Sequence, residues 1–270
     1  MTAITKQSVF SGLISLAVTI GLTSAAWAEY QVIDVKNGGT IKGTATWKGD
    51  VPKAEPLKVN ADTGFCGQTA PSRALQVDPA SKGVRFVLVY LENISQGKAP
   101  EKKYWLHMGK APDRPDSAVC MFEEHVWAFV RTSTIALENY DRILHNPHGF
   151  AADHATLFNI ALPVPKMETD EHFKRVEGAG LKYQCEIHTT MNGWMGGFDH
   201  PYFAVTDGKG AYEIANIPPG KYKLVAWHEG YTIAKMESGR PVYDEPHVIT
   251  KNIEVKPGGT VETDFVFPAK

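Results

Sequence analysis

The chain has 270 residues, with 28 Lys and Arg against 30 Asp and Glu, a formal net charge of −2 and 43% hydrophobic residues. That near balance excludes the strongly basic surface selected by nucleic acid or an anionic membrane. With 24 Gly and 17 Pro, and no long stretch of helical period, the chain is not a helical bundle, and the expected class is mostly β.

Residues 1–28 read as an export signal. Lys6 starts it, an apolar or small run extends from Val9 to Ala25, and Ala26-Trp27-Ala28 makes a small-x-small cleavage site before Glu29. The run is short for a membrane span, and no cysteine follows the cut to carry a lipid. The expectation is a soluble protein in an oxidising, exported compartment, the periplasm.

Residues 39–47 alternate apolar and polar and stop at Lys48-Gly49-Asp50, a strand closed by a turn. A proline-punctuated loop carrying Cys66 follows. Residues 84–91 form a nearly continuous β-branched and aromatic run, which predicts a central strand covered on both faces. From Ser95 to Ser117 the composition turns to Lys, Pro, Gly and Asp, the place for a boundary. Strands are predicted over 125–130, 133–139 and 156–162, with 146–155 as loop. A hairpin over 173–176 and 181–185 turns at Gly178-Ala179-Gly180. Further on, 202–214 forms a hairpin about Asp207-Gly208, and Pro218-Pro219-Gly220 turns the chain into a strand whose Tyr222, Leu224 and Ala226 share a face. Strands over 249–255 and 260–267 end the chain.

The three cysteines, Cys66, Cys120 and Cys185, leave one over in a compartment where pairs oxidise. A Cys66–Cys120 disulfide would stabilise the fold by roughly 4 kcal/mol in the chain-entropy model and leave Cys185 free. Cys66 with Cys185, or no bridge, remain open. A lone thiol there needs burial or a metal.

The strand period puts Cys185 inward at a strand end, and His188 and Met191 follow in the loop. Thiol, imidazole and thioether form a soft donor set that suits copper better than magnesium or calcium. His145, at the end of another predicted strand, would supply a second imidazole. Each residue also has a plain structural reading: a core thiol, a strand-end histidine, a packed methionine.

The pair His145-Asn146 and the run Cys185-Glu-Ile-His188-Thr-Thr-Met191 resemble the copper signature of the cupredoxins. The short Cys-x-x-His-x-x-Met spacing is similar to the ligand loop of the amicyanins. The resemblance implies a Greek-key β-sandwich with one copper ion, His145, Cys185 and His188 as equatorial ligands, Met191 as the weak axial one, and Asn146 holding the ligand loops by hydrogen bonds. Met195 competes for the axial place, with Glu186 as a remote candidate. A dinuclear centre would need cysteine at position 181, which is Leu181.

Residues 205–231 resemble the carboxypeptidase regulatory-like, or transthyretin-like, β-sandwich module, and the Gly-x-Ile-x-Gly strand at 39–44 is similar to the way such modules begin. The expected organisation is a discontinuous sandwich of 29–100 and 201–270, with a cupredoxin-like copper domain at 101–200 inserted; a single fused sandwich is the alternative. Some methylamine-utilisation proteins share this two-part look. The implied function is single-electron transfer with a periplasmic redox protein, a c-type cytochrome or a dehydrogenase. Alternatives are a copper carrier or store, a copper enzyme with an open coordination position, and a metal-free scaffold. His148, Asp153, His154 and His200 invite a second metal site, and Trp194 could shield the metal. Zinc-peptidase, haem-attachment and phosphate-loop motifs are missing from the sequence.

Overall fold

The computed structural model describes residues 30–268, except 116, 174, 175 and 177; the export signal expected over residues 1–28 lies outside the described residues. The fold is almost entirely β-sheet, and the one helix among the described residues is the single turn Thr63–Cys66. No helix in that range is long and apolar enough to cross a membrane.

Two sheets close one core. The first runs Phe203–Val205, Leu88–Glu92, Gly220–His228, His247–Val255, and in the second Gly39–Lys48 pairs Ala211–Ile217 on one side and Thr260–Glu262 and Phe265–Pro268 on the other. Between them lie Ile41, Val89, Leu91, Leu224, Ala226, Phe265 and Phe267. The alternation read at Tyr222, Leu224 and Ala226 is the reason: these positions turn to that core while Trp227 turns away.

A second pair of sheets uses only the chain between. The larger has the order Thr156–Asn159, Pro147–Phe150, Gly178–Cys185, Asn192–Phe198, Val126–Val130, and the smaller Met167–Glu171, Thr134–Asn139, Lys103–Met108. They enclose Leu106, Phe129, Leu137, Leu181, Tyr183 and Cys185. A third, smaller cluster joins the two sandwiches: Phe86, Leu88 and Trp227 from one, Val126, Ala128 and Phe198 from the other. Strand Leu88–Glu92 therefore carries core on both faces, as its unbroken apolar run predicts. It begins at Leu88 and not at Val84, because Phe86 takes a left-handed backbone (φ 68°).

Three local expectations are corrected. The boundary region 95–117 contains the strand Lys103–Met108, whose Leu106 and Met108 are fully buried, and the loop at 146–155 contains the strand Pro147–Phe150. The glycines 178 and 180 do not turn a hairpin. Both have positive φ, and the pairing register shifts between Gly178 and Leu181, so they form an irregular stretch inside one strand. The hairpin that matters joins Gly178–Cys185 to Asn192–Phe198, and its loop is 186–191.

Candidate metal centre

Strand pairing assembles the centre. Pro147 pairs with Cys185 and His148 with Gln184, so the residues just before Pro147 lie beside the end of the cysteine strand. The Asn146 N–H points at Cys185 Sγ (3.4 Å), and the Asn146 carbonyl accepts the Glu186 N–H at 2.9 Å. Asn146 thus ties the two ligand segments through its backbone, while its side-chain Oδ1 is buried with no partner among the described residues. The Cys185 N–H donates to the Met191 carbonyl (2.9 Å) and the Met191 N–H to the His188 carbonyl (3.0 Å), which closes the loop on itself.

His145 Nδ1 lies 3.9 Å and His188 Nδ1 3.7 Å from Cys185 Sγ. All three residues are 0% exposed. A sulfur and a nitrogen bound 120° apart to one ion, at the lengths of about 2.3 and 2.0–2.1 Å typical of zinc, stand about 3.8 Å from one another. The two sulfur–nitrogen distances match that spacing, and all three donor atoms lie within 4.8 Å of one another, so the side chains can converge on one metal ion.

Behind each imidazole stands a carboxylate. His145 Nε2 is 2.9 Å from Asp141 Oδ2, and His188 Nε2 is 3.0 Å from Asp62 Oδ2. With each Nε2–H donating to its carboxylate, each Nδ1 is left facing the sulfur. Burial opposes ionisation of the Cys185 thiol, but its contacts with the two imidazoles and with the backbone N–H groups of Asn146 and His188 outweigh it and push the thiol down to about 5. Burial likewise opposes a charged His145, and the Asp141 and Cys185 contacts raise its pKa. A thiolate facing two nitrogens is what a soft metal ion needs as donor set.

The covering of this centre comes from far along the chain. Asn60 Oδ1 accepts from the Thr189 N–H (2.8 Å) and Oγ1 (3.0 Å), and Asn60 Nδ2 donates to the Ile187 carbonyl at 2.8 Å. A disulfide joins Cys66 to Cys120, one of the pairings the cysteine count leaves open. The Cys120 N–H donates to Asp141 Oδ2 at 2.7 Å, so the bridge links the two segments that support the two imidazoles. Arg240, from the hairpin of Ile233–Glu237 and Arg240–Tyr243, donates from Nη2 to the Cys185 carbonyl at 2.7 Å. Of these four contributors, Asp141 had a local signal, four residues before His145; Asn60, Asp62 and Arg240 had none.

Met191 is buried (1% exposed) in the same apolar cluster as Cys185. Met195 is also buried, but it pairs with Leu181. Leu181 lies four residues before Cys185, about 13 Å along the strand, which puts Met195 out of reach.

The other histidines are not brought together. His148 points elsewhere, with Nδ1 2.7 Å from Glu186 Oε1 and Nε2 2.9 Å from Thr156 Oγ1. Among the described residues, no group of three donors within metal reach includes His148, Asp153, His154 or His200. His107, Glu123 and Glu124 do converge, but Arg114 Nη1 already lies 3.1 and 3.2 Å from the two carboxylates. Trp194 donates to Glu229 Oε2 (2.7 Å) and packs on Trp227 between the sandwiches, away from the shielding role expected of it.

No protein-family model matches the chain, and no curated protein matches it. Solved structures similar to part of it are cupredoxins. They include a reduced amicyanin mutant (17% identity over 36% of this chain and 82% of that one, TM-score 0.28). A purple cupredoxin from Nitrosopumilus maritimus gives 18% identity, 35% and 98% coverage and a TM-score of 0.28. A pseudoazurin from Sinorhizobium meliltoi gives 18%, 36%, 75% and 0.27. At these TM-scores the likeness carries no weight of its own, and the chemistry of the centre is read from its side chains.

Proposed function

We propose that the chain is an exported mononuclear copper protein that passes single electrons, with His145, Cys185 and His188 as ligands and Met191 as the weak fourth. The observation that carries the reading is the spacing of one buried cysteine sulfur and two imidazole nitrogens, 3.7 and 3.9 Å from it, each imidazole pinned from behind by a carboxylate. Bound copper would supply a one-electron couple. The protein contributes rigidity: Asn146, Asn60, Arg240 and the disulfide hold the donors so that little moves when the charge changes.

Burial chooses among the functions open to such a site. A carrier needs ligands that a partner can reach, and an enzyme needs an open position for substrate. All three donors here are 0% exposed, which favours a centre that keeps its ion and exchanges only electrons. We take residues 101–200 as the copper-binding unit and the flanking regulatory-like sandwich, 29–100 with 201–270, as its support. A periplasmic cytochrome c or dehydrogenase is the kind of partner such a carrier serves. A disulfide in the chain is in keeping with an oxidising compartment.

Titrating the purified chain with Cu(II) tests this. One equivalent should produce an intense visible sulfur-to-copper band that bleaches reversibly with a mild reductant, the metal staying bound. The band should vanish in Cys185→Ser. A colourless wild-type protein, or copper lost at once to a chelator, rules the reading out.

A further inference from the structure

A segment from before residue 100, between the short paired strands Leu57–Lys58 and Thr69–Ala70, contributes a carboxylate to the centre. Asp62 lies between Gly39–Lys48 and Leu88–Glu92, both strands of the flanking sandwich, and 126 residues separate it from His188. Its backbone is left-handed (φ 50°, ψ 36°), a conformation non-glycine residues seldom adopt. It stands at the N-cap of the short helix Thr63–Cys66, and its carbonyl accepts the Phe65 and Cys66 N–H groups at 2.8 and 2.9 Å. The side chain that would ordinarily cap that turn makes no cap hydrogen bond and reaches His188 Nε2 instead. Asn60 on one side grips the ligand loop and the Cys66 disulfide on the other anchors the segment, so the carboxylate is held from both ends.

We propose that Asp62 is a positioning residue of the copper centre: together with Asp141 behind His145, it fixes the ring orientation and biases the site toward the oxidised ion. This rests on the reading of the site as a copper centre. Two carboxylates stand one imidazole ring away from the place an ion would occupy, on the far nitrogens of His145 and His188. Adding an electron there adds negative charge to negative surroundings, so the more positive ion is held more tightly. A carboxylate on Nε2–H also makes the imidazole a better donor through Nδ1. The Asp62 side chain is 45% exposed and that of Asp141 2%, so water screens the first more and Asp141 should have the larger effect.

The test compares the wild-type full chain with Asp62→Asn and Asp141→Asn. In the copper-loaded proteins, the reduction potential and the rate of Cu(II) loss to a chelator are measured. Losing one carboxylate should weaken Cu(II) binding about tenfold more than Cu(I) binding, a rise of about 59 mV for a one-electron couple. The shift should be larger for Asp141→Asn, and Asp62→Glu should restore part of what Asp62→Asn loses. A purely structural role would weaken both oxidation states alike and leave the potential unmoved, which overturns the proposal. In the metal-free proteins, nitrogen NMR of His188 should find the proton on Nε2 in the wild type and a mixture in Asp62→Asn. If wild-type copper gives no charge-transfer band, the copper reading falls, and the NMR result still decides whether Asp62 positions His188. A wild-type His188 without an Nε2 proton overturns the proposal independently.

Discussion

Arg240 reaches across 55 residues of sequence to donate a 2.7 Å hydrogen bond from Nη2 to the carbonyl oxygen of Cys185. The guanidinium belongs to a hairpin that follows Gly220–His228, and the carbonyl ends the strand carrying the thiol, so one contact pins the cysteine from outside its own sheet. Arg240→Met keeps the aliphatic stem and removes the donor. A hydrogen bond to a charged group contributes about 1.5–3 kcal/mol, and about 2–4 °C of melting temperature goes with each kcal/mol in a chain of this size. The variant should melt about 3–12 °C lower and lose copper faster. An unchanged melting temperature together with unchanged copper retention would show that the hairpin merely rests there.

The two buried methionines should separate cleanly. Met191 closes the ligand loop through its backbone contacts with Cys185 and His188, whereas Met195 faces Leu181 in the strand pair. Met191→Leu should change the copper absorption and electron paramagnetic resonance spectra and raise the potential while leaving the fold intact. Met195→Leu, a volume-conserving core change, should cost less than about 1.5 kcal/mol and leave both spectra alone. A spectral change in the second variant and not the first would reverse the assignment.

What could be read from the sequence was local. Cys185, His188 and Met191 fall within seven residues at the end of an alternating strand, so period and spacing pointed to them; His145, expected at the end of a strand, instead precedes one, Pro147–Phe150, in a stretch that reads as loop. The alternation of Tyr222, Leu224 and Ala226 was legible from its period. Contacts made over long separations left no such trace. Nothing around Asp62 marks it as the partner of a histidine 126 positions away, and nothing around Arg240 points to Cys185. The glycines at 178 and 180 carry the composition of a turn, and only the pairing of Leu181 with Met195 shows the strand running on beyond them. Phe86 has a strand former's side chain, yet its left-handed backbone ends the run, and the ring packs between the two sandwiches.

The disulfide should matter to the metal as well as to the fold. It closes a sequence separation of 54 residues, and the chain-entropy model assigns such a loop about 4 kcal/mol. Cys66→Ala with Cys120→Ala should therefore lower the unfolding free energy, read from the denaturant midpoint and m-value, by that order. It also frees the segment bearing Asp62 and weakens the frame around Asp141, whose Oδ2 accepts the Cys120 N–H. Copper loss to a chelator should quicken by more than the change in global stability explains. Equal retention in the bridged and unbridged proteins would confine the disulfide to folding.

Two buried histidines give stability a pH dependence apart from the metal. Burial disfavours the charged forms of His228 and His200 and lowers each to about 4. The unfolded chain protonates the same groups near pH 6.5. Between those values the unfolded state binds protons that the folded state refuses, so stability falls as the pH drops, by about 1.4 kcal/mol per unit for each histidine. The Cys185 thiol, at about 5, titrates in the same window, so the measurement belongs in metal-free Cys185→Ser. Denaturant unfolding at intervals from pH 7 to 4 should show stability falling with pH, and His228→Gln should reduce the slope by the share of one histidine. His228 Nδ1 lies 2.7 Å from the Glu229 carbonyl, a contact the Gln amide can imitate, so a reduced slope without collapse of the fold is the expected result. An undiminished slope in His228→Gln would assign the proton uptake to other groups.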